Sequence, residues 1–316
     1  MAITVTPEQL QKSAVQFRKE LLMMITIGLQ SSLQHMTLRP GVQYKQMVGE
    51  IRGNTEFGPY DPNRKNTDTD IKGRELEVFL GSVIKEFDPN NVVQSIYGSL
   101  ILSGEGLKNV PITKAILAAE LKSLSAKLNQ ALFGAVRNAS GTKSIDLFNG
   151  FDTIAKTEIA GGDIAVAKKN LFEFGEVITS SSAVDLLKTY YRSATDELKS
   201  IPTKMYIPFS VMEAYEDDYR QTVGSVVYNK SFEKRFLEGS NGLCELIPLS
   251  SKKGSDFLQL STKDNMLVGT GNGNDLEKLQ VDRFSAFLVT LSAAILFGCE
   301  YETISPEKLL VGKLFV

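Results

Sequence analysis

The chain has no tryptophan, one histidine and two cysteines in 316 residues, and its 35 lysines and arginines do not outnumber its 37 aspartates and glutamates. Each shortage closes a class of function. His35 alone cannot supply a multi-histidine metal site. Cys244 and Cys299 lie far apart, with no CxxC pair and no spaced Cys/His set, so neither zinc nor a disulfide framework is expected. They read as two buried small hydrophobes in a reducing compartment. A net charge of −2 without a basic run argues against a tight, sequence-reading grip on nucleic acid.

Long apolar runs are missing too. "LLMMITIGL" is too short to span a bilayer, and "FSAFLVTLSAAILFG" is short and interrupted by Ser and Thr. The N-terminus shows no basic region followed by an apolar run and a small-residue cleavage site, so no signal peptide is expected. The sequons at Asn138 and Asn229 then read as chance matches.

Catalytic signatures are equally sparse. There is no G-x-S-x-G elbow to aim a serine toward His35; "EGSNG" at 238–242 has the wrong spacing. There is no Gly-Lys-[Ser/Thr], hence no Walker loop, and "GTGNGND" lacks G-x-G-x-x-G spacing and reads as a hairpin turn. The acids Asp61, Asp68, Asp70, Glu75 and Glu77 cluster in one region. A calcium loop would need oxygens where "DPNRKNTDTDIKG" places Arg64 and Lys65. A glycosidase pair would need an aromatic-lined cleft, in a chain without tryptophan. "EAYEDDYR" reads as a solvated or interface face of a helix. No cofactor is implied.

What is present is a distinctive order of elements. "VTPEQLQKSAVQFRKELLMMITIGLQSSL" reads as a helix, with Thr6 and Gln9 as a capping box, Pro7 in the first turn, and a stripe of Leu10, Ala14, Phe17, Leu21, Met24 and Ile25. "YKQMVGEIR" and "RELEVFLGSVIKEF" alternate partially and predict a long hairpin. Pro89-Asn90-Asn91 then punctuates the chain. "PITKAILAAELKSLSAKLNQALFGAVRNASG" predicts a very long amphipathic helix, apolar at Ile116, Leu121, Leu124, Leu128, Leu132 and Val136 and polar at Lys122, Lys127 and Gln130. Its core of about 24 residues would span roughly 36 Å. Residues 140–180 are mixed. Ser182-x-x-Asp185 and Ser210-x-x-Glu213 read as capping boxes opening two helices, the second after a short strand and Pro208. "GLCELIPLS", "DFLQLS", "NMLVGTG" and a long "VDRFSAFLVTLSAAILFGCEYET" predict strands.

Between the two hairpin strands lies "RGNTEFGPYDPNRKNTDTDIKGR", Arg52 to Arg74. It is too polar to join a core. Glu56, Asp61, Asp68 and Asp70 face Arg64, Lys65, Lys72 and Arg74 in a near-balance of sign. That balance suits ion pairs to a neighbouring subunit, each weak alone but repeated many times in a closed assembly.

This order resembles the major capsid protein of tailed bacteriophages, the Hong Kong 97-type fold shared with encapsulin compartments. The resemblance is sharpest over residues 201–312, through "KMYIPFSVMEAYEDDYR", "EGSNGLCELIPLSSKKGSDFLQLSTKDNMLVGTG" and "DRFSAFLVTLSAAILFGCEYETISPEKLLVG". It implies an α+β fold with an N-terminal helical arm (1–35), an E-loop β-hairpin with flanking strands (36–90), a peripheral domain with a spine helix and long-stranded sheet (91–140), an axial α/β domain (141–280) and a return through the peripheral domain (281–316). It implies a non-enzymatic shell protein forming hexamers and pentamers of an icosahedral phage or prophage head. DNA would be enclosed non-specifically and no membrane involved. The partners would be a separate scaffolding protein and a portal, with assembly in a bacterial host cytoplasm and a final place in the virion. Some relatives crosslink a loop lysine to a neighbour's asparagine; Lys65 and Lys72 occupy a suitable loop, but no partner asparagine or assisting glutamate is identifiable. The alternatives are an encapsulin-like compartment and a carboxylate-based or metal-assisted hydrolase.

Overall fold

The structure is a computed structural model that describes residues 29–53, 60, 69–88, 112–223, 236–271, 278–283 and 288–315, with positions 12, 14 and 16. The expected N-terminal helix and its capping box lie almost wholly outside the described residues. The described chain begins with a single helical turn, α1 (Gln30–Leu33), and strand β1 (Thr37–Pro40).

Two sheets carry the fold. The first contains β1, β9 (Met266–Thr270), β11 (Val289–Tyr301) and β10 (Lys278–Arg283), with β4 (Phe79–Phe87) paired to the other edge of β11. β11 is its axis: β10 and β4 flank its first half, and β9 takes its second half. The long closing strand expected from the sequence is thus two strands, because β10 folds back antiparallel on β11. The second sheet runs β5 (Leu171–Glu173), β12 (Leu309–Lys313), β8 (Phe257–Ser261), β6 (Thr203–Ile207) and β7 (Cys244–Pro248). The expected boundaries do not follow these sheets. β12 falls within the expected return but pairs with β8 and β5, while β9 and half of β10 fall within the expected axial part but belong to the first sheet.

The second sheet is covered on both faces, and its sequence shows it. β8 reads FLQLS and is buried at every position. Leu258 and Leu260 face a cluster with α4 (Ala183–Arg192), the short α5 (Asp196–Lys199) and α6 (Phe209–Val223), whereas Phe257 joins the larger cluster around Phe133 and Phe151. A strand buried on two faces loses hydrophobic alternation.

The long helix is α2 (Ile112–Ala131), 20 residues and so about 30 Å. Leu121 and Leu128 are buried and Leu124 packs against them, while Lys122, Lys127 and Gln130 are exposed, as the spacing predicts. Val136, expected on the same stripe, is exposed. The helix has already ended at Ala131, and the turn after it is tied to the next helix, α3 (Phe151–Gly161). The Phe151 and Asp152 amides donate to the Leu132 and Phe133 carbonyls at 3.3 and 3.0 Å. One helix end thereby satisfies the orphan groups of the other. Gly150 allows the approach, since a Cβ there would stand 2.2 Å from the Phe133 carbonyl oxygen.

Neither predicted capping box forms. The Ser182 hydroxyl makes no cap bond to α4; the Val184 amide instead donates to the Asp218 carboxylate of α6 at 2.7 Å. One acid of "EAYEDDYR" is therefore buried and structural. α6 begins at Phe209, which places Ser210 inside the helix.

Between the sheets sits a buried polar centre. Lys252 is fully buried, 3.1 Å from the Asp152 carboxylate, hydrogen-bonded to the Gln259 side-chain oxygen, and 4.3 Å over the Phe133 ring. The Gln259 amide donates to the same Asp152 oxygen at 2.6 Å. Burial pushes the Lys252 pKa down, against the pull of Asp152.

Candidate assembly surface

The feature with the least support from its own chain is the hairpin of β2 (Lys45–Gly53) and β3 (Thr69–Glu77), a two-stranded sheet of its own. Its antiparallel register runs from Lys45 opposite Glu77 to Gly53 opposite Thr69. The strands therefore extend into the polar segment, and the connection shrinks to residues 54–68. The sequence alone predicts one strand over residues 74–87. The structure breaks it at Val78, where β3 ends and β4 begins.

Register explains part of the charge balance. Glu50 stands opposite Lys72 and Arg52 opposite Asp70. Lys45 lies 2.9 Å from Glu75 and 3.7 Å from Glu77, so those two acids serve the hairpin rather than a site. Tyr44 and Met47 remain 65% and 70% exposed, which leaves apolar surface for something else to cover.

The hairpin's root is fixed in two ways. Leu76 and Val78 are buried with Val42, Leu267 and Leu296. They cross the first sheet where Gly269 of β9 faces Gly298 of β11. A Cβ on Gly298 would stand 2.1 Å from the Glu77 carbonyl oxygen, and one on Gly269 would stand 2.7 Å from a Val78 methyl. Only glycine lets the backbone pass so close. Beside this crossing, the Arg74 guanidinium reaches Glu158 of α3 at 2.6 Å and Glu300 of β11 at 2.9 Å. The three side chains keep only 15%, 21% and 15% of their exposure. Burial opposes the Arg74 charge, but the two carboxylates outweigh it and raise its pKa. Burial also raises the Glu300 pKa, because one guanidinium shared by two acids does not offset it.

The sequence-derived contact residues divide accordingly. Glu56, Asp61, Arg64, Lys65 and Asp68 lie outside the described residues. Asp70 and Lys72 sit on β3, within the hairpin ladder. Arg74, expected to reach a neighbour, is committed inside its own chain. The partners that hold it, Glu158 and Glu300, and the two glycines were not singled out in the sequence. The available signal was a glycine inside each apolar strand, in "MLVGT" and "AILFGCE".

Two further surfaces flank the body. An open groove of about 710 Å³ runs between α2 and β4, lined by Leu80, Val83, Leu124 and Ile295 with Lys127 and Lys143. Leu80 and Ile84 of β4 are exposed. On the other side, His35 follows α1 and meets the second sheet: its Nδ1 lies 3.3 Å from the Lys204 Nζ, and Lys204 also pairs with Glu245. This is no catalytic dyad. Among the described residues no group of three or more His, Cys, Asp or Glu side chains is placed to hold a metal, and no helix is long and apolar enough to cross a membrane.

The whole arrangement has counterparts among solved structures. It superimposes on a chain of the satellite phage P4 procapsid with its size determination (Sid) protein at a TM-score of 0.60 and 11% identity, covering 93% of this chain and 90% of that one. The fold is that of the tailed-phage capsid proteins. A chain from the capsid of an empty GTA particle matches at 0.57 and 12% identity, covering 91% and 90%. The holo-SrpI encapsulin complex from Synechococcus elongatus PCC 7942 matches at 0.51 and 11% identity, covering 89% and 86%, so encapsulins share it. No protein-family model and no curated protein matches the sequence.

Proposed function

We propose that the chain is the major shell subunit of an icosahedral phage or prophage head, assembling as hexamers and pentamers around DNA. The observation that carries this reading is the likeness to a procapsid chain over 93% of this chain and 90% of the other, at a TM-score of 0.60. The hairpin supports it: a two-stranded arm held at its root, with exposed Tyr44 and Met47, is surface awaiting a neighbour. In this reading the first sheet and α2 form the peripheral part, and the second sheet with α4 and α6 forms the part around the capsomer centre. Glu56, Asp61, Arg64, Lys65, Asp68, Asp70 and Lys72 meet the next subunit, while Arg74 holds the arm at home. The role is structural, without a cofactor. A separate scaffolding protein and a portal complete assembly in the host cytoplasm, and the product resides in the virion.

Purified protein, alone and with candidate scaffolding protein, would be examined by light scattering and negative-stain microscopy. Closed shells or capsomers are expected. A chain that stays monomeric under both conditions, at high concentration and in crowding salt, would defeat the proposal. A second reading, an enzyme-storing compartment, is favoured by the encapsulin match. The contents separate the two: nuclease-protected DNA marks a head, and a co-purifying protein cargo marks a compartment.

A further inference from the structure

We infer that His35 is an acid-released clasp between the chain's N-terminal segment and the second sheet. The inference deepens the shell reading by assigning a regulator to one of its surfaces. His35 is the only histidine in the chain, so it is the only side chain whose ordinary pKa lies in the histidine range. It sits just after α1, partly buried, where the N-terminal segment meets β6.

The contacts set the direction of the switch. Lys204 has only protons to offer, so its 3.3 Å contact requires an unprotonated Nδ1 as acceptor. The other ring nitrogen, Nε2, lies 2.9 Å from the Gln34 side-chain nitrogen, another donor, so a second ring proton finds no acceptor on either side. Protonating Nδ1 removes the acceptor and sets two cations against each other. The charged groups facing the ring are Lys204 of β6, Glu245 of β7 and Lys263 of the β8–β9 turn. Two are cations, and Glu245 is already engaged by Lys204. Burial first, then Lys204, pushes the His35 pKa below its ordinary value. A group that binds its proton less tightly when seated is unseated by acid.

What would be loosened is defined. Tyr206 donates to the His35 carbonyl, and Met36 is buried next to it. Upstream, the Ser32 hydroxyl donates to Asn129 of α2 at 2.8 Å. The clasp thus lies beside the contacts through which residues 29–36 hold both α2 and the second sheet.

The test uses full-length unassembled subunit, so its result does not depend on whether shells form. The His35 Cε1 proton is titrated by NMR, and hydrogen exchange of residues 29–40 is compared at pH 7.5 and 5.0 after correction for intrinsic rates. The expected midpoint lies below 6.5, and protection should be measurably lower at pH 5.0 than at pH 7.5. His35→Asn, whose side-chain oxygen still accepts from Lys204, should keep protection at both pH values. Lys204→Met should raise the titration midpoint. A midpoint at or above 6.5, unchanged protection in acid, or acid release that persists in His35→Asn would each overturn the inference.

Discussion

Gly269 and Gly298 face each other across β9 and β11, and the hairpin's backbone passes over the pair. Neither glycine turns the chain. Their shared role is to be flat, so that Leu76, Glu77 and Val78 can cross a sheet and redirect the chain from β3 into β4.

Gly298→Ala should therefore destabilise more than Gly269→Ala. The first meets a backbone carbonyl at 2.1 Å, which cannot step aside; the second meets a side-chain methyl at 2.7 Å. Overpacking of this kind costs about 1–3 kcal/mol. Urea unfolding midpoints of the two variants give the order, and equal midpoints would contradict it.

Arg74→Met should leave Glu158 and Glu300 facing each other without their shared cation. The site is shielded but not sealed, so a loss of about 2 kcal/mol is expected, between the values for exposed and buried pairs. Adding Glu158→Gln and Glu300→Gln to Arg74→Met should recover most of it, since neutral amides need no counter-charge. If Arg74 acted only on a neighbouring subunit, the thermal midpoint of isolated subunit would not move.

Glu300 also fixes the sign of a pH effect. Its folded-state pKa is raised above 4.5, chiefly by burial. Between those two values the folded state holds more proton than the unfolded state, so this residue's contribution to stability grows as pH falls toward 4.5. Glu300→Gln should remove that component. Subtracting the variant's urea-midpoint profile from the wild type's, between pH 7.5 and 5.0, isolates it; a difference that declines with acid would be the wrong sign.

Lys252→Met is expected to be the most damaging of these single changes. It strands the Asp152 carboxylate in the core, a loss of about 3–5 kcal/mol. Lys252→Met with Asp152→Asn should be far milder than the single change. Thermal unfolding of the four proteins of the cycle measures the coupling, and additive effects would mean that the pair does not interact.

Asp218→Ala should destabilise by about 1–2 kcal/mol through loss of the cap on α4. Ser182→Ala should cost less, because its hydroxyl caps no amide of α4. Far-UV circular dichroism melts would rank the two; the reverse order would restore the local capping box.

These residues show where sequence reading succeeds. The stripe of Leu121, Leu124 and Leu128 declares α2 because helical spacing is a local property. "NMLVGTG" declares β9 because flanking turn residues bound an apolar run. The capping boxes failed because Ser182 competes with Asp218, 36 positions away, for the same helix start. Arg74 shows the same limit: its charge is visible in sequence, but the acids it pairs with lie on α3 and β11.

The sequence by itself determined the amphipathic long helix and the hairpin, since each follows from periodicity. Tertiary structure decided how the pieces cross. It divided the closing strand in two, moved β12 to the other sheet, drew Arg74 inward and placed two distant glycines under one turn of chain. Those outcomes depend on which surfaces meet, and short-range pattern carries no record of that. The polar segment from Arg52 to Arg74 holds both lessons: its charges were readable at once, but only pairing and burial showed which of them the subunit keeps for itself.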